Sequence, residues 1–143
     1  MVVALVAFAI AALIGALVLA VAVEPGPSPG DAALGYELAW DRLDFDALWT
    51  LSGRELRDGR TKPEFVAAKR EAFQLQPELV RLALHVALED VVAASRVAAA
   101  RTRVELRDGT VVHNDLRLAK RQGRWEVVAY QLQPDASAPR PLP

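Results

Sequence analysis

An α+β fold behind a membrane-spanning helix is what this sequence predicts: about three helices packed on a curved antiparallel sheet of about four strands. Three observations carry the expectation. All 17 Lys and Arg and all 18 Asp and Glu fall after position 23, so an uncharged stretch precedes a domain of ordinary soluble composition. From Leu34 to Phe73 the apolar residues recur at helical spacing. From Val104 onward they alternate instead, punctuated by Asp108-Gly109 and Gln122-Gly123, a change of period from helix to strand.

The first element is the uncharged one. Val2 to Val23 holds no charge, no Pro and no amide side chain. At the helical rise it is roughly 33 Å long, enough for a hydrocarbon core of about 30 Å. Lipid offers the backbone no hydrogen-bonding partner, so such a run crosses as a helix. It ends at Glu24-Pro25-Gly26-Pro27, where proline removes donors. Residues 1–23 are therefore read as a transmembrane anchor whose partner is the lipid bilayer. A cleaved signal peptide is the rival account. Ala20-Val21-Ala22 supplies its small-x-small cleavage pattern, whereas the length of the apolar run and the lack of a basic start oppose it. The first basic residue after the span is Arg42, which leaves nothing to hold that side inside. The expected localisation is the cell membrane, single-pass, N-terminus inside and domain outside.

Residues 24–31 (EPGPSPGD) read as a Pro/Gly linker, 32–133 as the domain and 134–143, with four Pro, as a disordered tail. Asp31 is placed to cap a helix that starts at Ala32 and runs to about Asp41 through Leu34, Tyr36, Leu38 and Trp40. A short helix from Asp44 to Leu51 follows, with Phe45, Leu48 and Trp49 on one side. Thr61-Lys62-Pro63-Glu64 starts a third, along which Phe65, Val66, Lys69 and Phe73 keep helical spacing.

Leu79 to Ala100 is rich in helix formers, yet Leu84, Val86 and Leu88 alternate with His85, Ala87 and Glu89. We read it as strand, with a turn near Ala94-Ser95. Asp108-Gly109 and Gln122-Gly123 then close two hairpins of a meander. In the last strand simple alternation sends Trp125, Val127 and Ala129 one way and Glu126, Val128, Tyr130 and Leu132 the other. With both faces apolar except at Glu126, it reads as a central strand. Glu-Leu-Arg-Asp-Gly occurs at 55–59 and 105–109, between helices and in a hairpin respectively, and is read as coincidence.

Composition excludes several function classes. A net charge of −1 opposes nucleic-acid binding. The absence of Cys rules out disulfides, thiolate metal sites and a cysteine nucleophile. His85 and His113 are the two histidines, and neither has a carboxylate at metal-binding helical spacing, so no metal or other cofactor is expected.

Ala39-Trp40-Asp41, the Asp44-to-Trp49 helix, Asp108-Gly109 and the closing Gly123-Arg124-Trp125 together resemble the nuclear-transport-factor-two-like family, a cone of three helices on a curved sheet. The likeness covers about 32–133. It implies a cone that can bind a small apolar ligand. One span followed by such a domain also resembles accessory subunits of mammalian-cell-entry lipid importers. Enzymes of the family, such as ketosteroid isomerases and polyketide cyclases, use an Asp or His base and a Tyr or acid donor inside the cone. The parts available here are Tyr36, Asp41, Asp44, His85, His113, Asp115 and Tyr130, and no spacing links them.

The expected function is a membrane-anchored, extracytoplasmic binding or accessory module without a catalytic set. Its partner would be an envelope protein or a second copy, or its ligand a small apolar molecule in a pocket lined by Tyr36, Trp40, Trp49, Phe73 and Tyr130. The alternative is a cone-fold isomerase or cyclase-like enzyme acting on an apolar substrate. Arg101, Arg103 and Arg107 share a strand face with Glu105, a stripe read as solvated in preference to lipid-bound.

Overall fold

A computed structural model describes residues 26–134. The predicted span and the tail beyond Pro134 lie outside these residues, and among them no helix is long and apolar enough to cross a membrane. The expected architecture is present: three helices on a four-stranded antiparallel sheet of order β1-β2-β3-β4.

Helix α1 (Pro29–Arg42) starts earlier than the sequence reading placed it. Ser28, not Asp31, is the N-cap; its hydroxyl accepts from the Asp31 N–H at 3.1 Å while the Asp31 carboxylate accepts from the Ser28 N–H at 3.0 Å. Pro29 sits in the first turn, where its missing donor costs nothing. What looked like linker is thus a capping box. Leu43 ends α1 at φ +51°. Asp44 then caps α2 (Phe45–Leu51) by accepting from the Ala47 N–H at 3.0 Å. Thr61 and Glu64 form a second capping box for α3 (Lys62–Phe73).

Strands β1 (Ala83–Ala93), β2 (Val97–Leu106), β3 (Val111–Arg121) and β4 (Arg124–Pro134) form a meander. Within 79–100 the alternating residues from Ala83 onward are strand, with the turn at 94–96, whereas Leu79 ends a 3₁₀ turn. Asp41 anchors the first of them: its carbonyl accepts from the Arg81 N–H at 2.6 Å and its carboxylate from the Ala83 N–H at 2.8 Å. The core lies between helices and sheet, with Leu48, Phe65, Leu116, Leu118 and Val127 fully buried.

Two features of β4 depart from the sequence reading. It is an edge strand, not a central one. Its free edge is covered by the segment after α2, where Ser52 bridges to Val127 and the Gly53 N–H donates to the Val127 carbonyl at 2.8 Å. The register also shifts between Arg117 and Leu118, leaving Val128 as the extra residue. Strict alternation would put Val127 and Tyr130 on opposite faces. The bulge turns both toward the helices, opposite Leu118 and Leu116.

Candidate functional site

Ala33, Tyr36, Glu37 and Trp40 follow one another at the spacings that stack side chains on one helix face. In α1 that face meets the sheet, and Glu37, a carboxylate, is only 5% exposed. Opposite it, β2 and β3 bring the paired residues Thr102 and Asn114 inward, and β4 presents Tyr130. Glu37 Oε1 accepts from Thr102 Oγ1 at 2.5 Å and from Asn114 Nδ2 at 2.9 Å. Glu37 Oε2 accepts from the Tyr130 hydroxyl at 3.1 Å. Burying a carboxyl group is tolerable only when its oxygens are bonded, and four elements converge to do this.

The network sets its members' roles. Burial raises the Tyr130 phenol above its ordinary range, and the Glu37 carboxylate raises it further; the hydroxyl therefore stays protonated and donates. Burial raises Tyr36 in the same direction. Asn114 must turn its NH₂ toward Glu37, because only that end can donate. Its Oδ1 is left buried without a protein partner among the described residues, as is the Trp40 Nε1. An unpartnered buried acceptor costs about 1–3 kcal/mol.

Beside the network, between α1 and one end of the sheet, is a cleft of about 210 Å³. Leu79, Leu82, Val86, Val104, Leu106 and Val112 supply its apolar wall; Glu37, Asn114 and Tyr130 supply its polar end. Leu82 and Leu132 border it and are exposed, so it opens to solvent. A larger hollow of about 720 Å³ lies on the outer face of the sheet. It is a charged surface depression whose central groups are already bonded, Arg101 donating to Asp115 at 2.8 and 3.3 Å. The mostly apolar cleft, with its single polar end, is the better ligand site.

Of the five aromatics named from the sequence, Trp40 and Tyr130 line the cleft. Tyr36 lies behind it in the core, its ring 5.3 Å from Tyr130 and 6.5 Å from Trp40. Phe73 packs on Phe45 and Trp40, and Trp49 packs on Phe65 beneath the Arg57 guanidinium, 4.3 Å above its ring. The polar parts weighed for catalysis are dispersed. Asp44 caps α2, Asp41 holds β1, His113 contacts Glu89 at 3.0 Å and Asp115 holds Arg101. The basic stripe is paired: Arg103 with Glu105, and Arg107 with the Arg81 carbonyl. Among the described residues no cluster of His, Asp or Glu could hold a metal.

Glu37, Thr102 and Asn114 were not singled out from the sequence, although each leaves a legible mark. Glu37 interrupts the apolar face of α1, Thr102 follows Ala98 and Ala100 in the inward phase of β2, and Asn114 interrupts Val112, Leu116 and Leu118 in β3. A polar residue in the buried phase of three elements is a signal that those positions meet.

No protein-family model matches this chain, and no curated protein does. Among solved structures it is similar to an NTF2-like protein of Campylobacter jejuni, provisionally assigned as a transpeptidase, at 17% identity over 71% of this chain and 97% of that one, with a TM-score of 0.54. It is also similar to NTF2-like proteins of unknown function from Silicibacter pomeroyi (16%, 71% and 90%, TM-score 0.48) and Shewanella baltica (17%, 73% and 90%, TM-score 0.48). The Campylobacter likeness shows the fold, the nuclear-transport-factor-two-like cone that the sequence resembles.

Proposed function

We propose that this cone is the ligand-binding part of a single-pass membrane protein, carried outside the membrane and holding a small, mainly apolar molecule in the cleft beside Glu37. The cleft itself carries the reading: an apolar wall, an open mouth and one polar end match the general anatomy of small-molecule sites. An engineered apolar cavity of about 150 Å³ accommodates benzene, so this one suits a ring or chain of roughly six to ten carbons. The carboxylate at its polar end accepts from three protein donors, which favours a fixed binding surface over a proton-transferring base. The span rests on the uncharged run from Val2 to Val23. Carbonate washing tests it: the intact chain should stay with the membrane, and a mature N-terminus at Val23 would remove the anchor.

The ligand site is tested by hydrogen exchange on the full chain in nanodiscs, with and without cyclic alcohols of that size. Occupancy should slow exchange at residues 79–86 and 104–114, and Val104→Arg should abolish the effect. Unchanged exchange with every member of the set would refute the site.

A buried carboxylate touching a tyrosine at the end of an apolar cleft also fits the isomerase- or cyclase-like alternative. There Glu37→Gln would leave binding intact and stop turnover of an apolar carbonyl substrate. Under the binding reading no such turnover exists to be lost.

A further inference from the structure

The two ends of the sheet differ in chemistry. The cleft sits where β1 and β3 begin and β2 and β4 finish, at Ala83, Leu106, Val112 and Leu132. The opposite end carries the β1–β2 turn and the β3–β4 turn side by side, joined by the Lys120 N–H donating to the Arg96 carbonyl at 2.8 Å. Arg96, Lys120 and Arg124 are exposed there. Among the described residues none of the three forms an ion pair. Arg121, between them, is held by Glu55 and Glu126. Asp31, at the start of α1, is engaged by Ser28.

The chain enters the domain at this same end. Gly26 lies against the β3–β4 turn, where an added Cβ would sit 3.7 Å from the Gly123 carbonyl oxygen. From Val23 to Gly26 the backbone reaches at most about 11 Å, close to the Debye length of about 8 Å at physiological salt. Val112 to Lys120 along β3 covers roughly 27 Å.

From these positions we propose that the Arg96–Lys120–Arg124 end rests on anionic phospholipid headgroups and holds the domain upright, its cleft facing away from the bilayer. The inference rests on the membrane anchor proposed above. Three exposed cations without an ion pair among the described residues, at the end where the chain enters, complement a negative leaflet. Within the stripe, Arg101 and Arg103 already have carboxylate partners, and Arg107, which donates to the Arg81 carbonyl, lies at the cleft end. The ligand would then be exchanged with the aqueous phase or a partner protein, not taken directly from the adjoining lipid.

The chain contains no Cys, so Ser95→Cys and Thr110→Cys each provide a unique labelling site, one at either end. Each fluorescently labelled full-length chain is placed in nanodiscs of phosphatidylcholine, with or without phosphatidylglycerol, and quenched by a nitroxide-headgroup lipid. On anionic discs the Ser95 label should be quenched about tenfold more than the Thr110 label. The difference should collapse on neutral discs, in about 1 M salt, where the Debye length is about 3 Å, and in R96E/K120E/R124E. Quenching that ignores lipid charge and the triple variant, or that is stronger at Thr110, overturns the proposal. A chain that does not stay with the discs is a separate result, which removes the anchor and this inference together.

Discussion

Glu37 is the residue on which the interior turns. It lies on the apolar face of a helix and accepts from side chains of three strands. Truncating it leaves a hydroxyl, an amide and a phenol buried without an acceptor, so Glu37→Ala should cost about 3 kcal/mol in urea unfolding. Glu37→Gln keeps the shape and one acceptor oxygen and should cost about 1–2 kcal/mol. Tyr130→Phe deletes a single bond and should cost about 1 kcal/mol. A Glu37→Ala loss smaller than that of Tyr130→Phe would show that the carboxylate does not organise the cluster.

Among the elements, β4 shows how one inserted residue can change a face. Deleting Val128 restores simple alternation and should move Val127 and Tyr130 to opposite sides of the strand. The expected result is loss of the near-ultraviolet circular dichroism of the packed aromatics and of cooperative unfolding; a native-like spectrum would show that the bulge is dispensable. The loop covering the β4 edge is held by Glu55 and Arg121. The Arg121 guanidinium, bonded to the carboxylate, lowers the Glu55 pKa to about 2, below its unfolded value of about 4.3. A depressed folded pKa contributes stability above the unfolded value, and that contribution is lost as pH falls from about 4.3 through 2. Both side chains are partly exposed, so screening keeps the effect below about 1 kcal/mol. Glu55→Gln should therefore lower the melting temperature slightly at pH 7, and the gap to wild type should close by pH 2; a constant gap would assign the effect to packing.

Helices and sheet share one core, in which Leu118 of β3 lies in the same buried cluster as Ala33, Leu48 and Phe65. The protein should therefore unfold as one unit, with far-ultraviolet and tryptophan signals changing together. Leu118→Ala should shift both by about 2–4 kcal/mol. Transitions that separate would mean the helices fold independently of the sheet. The same unity gives the domain two distinct ends, a cleft at one and the exposed Arg96, Lys120 and Arg124 at the other.

Period, turn chemistry and caps made most of the fold legible. Asp108-Gly109 and Gln122-Gly123 sit at turns that need positive φ, and Asp44 and Thr61 cap the helices they precede, because these preferences act over a few residues. The start of α1 was misplaced because Ser28 and Asp31 are both good capping residues, and only the reciprocal bonds between them identify the cap. The identical Glu-Leu-Arg-Asp-Gly segments show the limit of local reading. The first copy forms a 3₁₀ turn whose Glu55 binds Arg121, and the second ends a strand and enters a hairpin. Their backbones differ because their partners do. Hydrophobic period together with turn and cap residues determined the helices, the strands and the hairpins that join them. Tertiary structure decided that β4 lies at the edge, that Val127 and Tyr130 share a face, and that Glu37, Thr102, Asn114 and Tyr130 meet. Each of these depends on contacts between residues far apart in the chain, where the side chain that satisfies a buried group carries no mark of its partner.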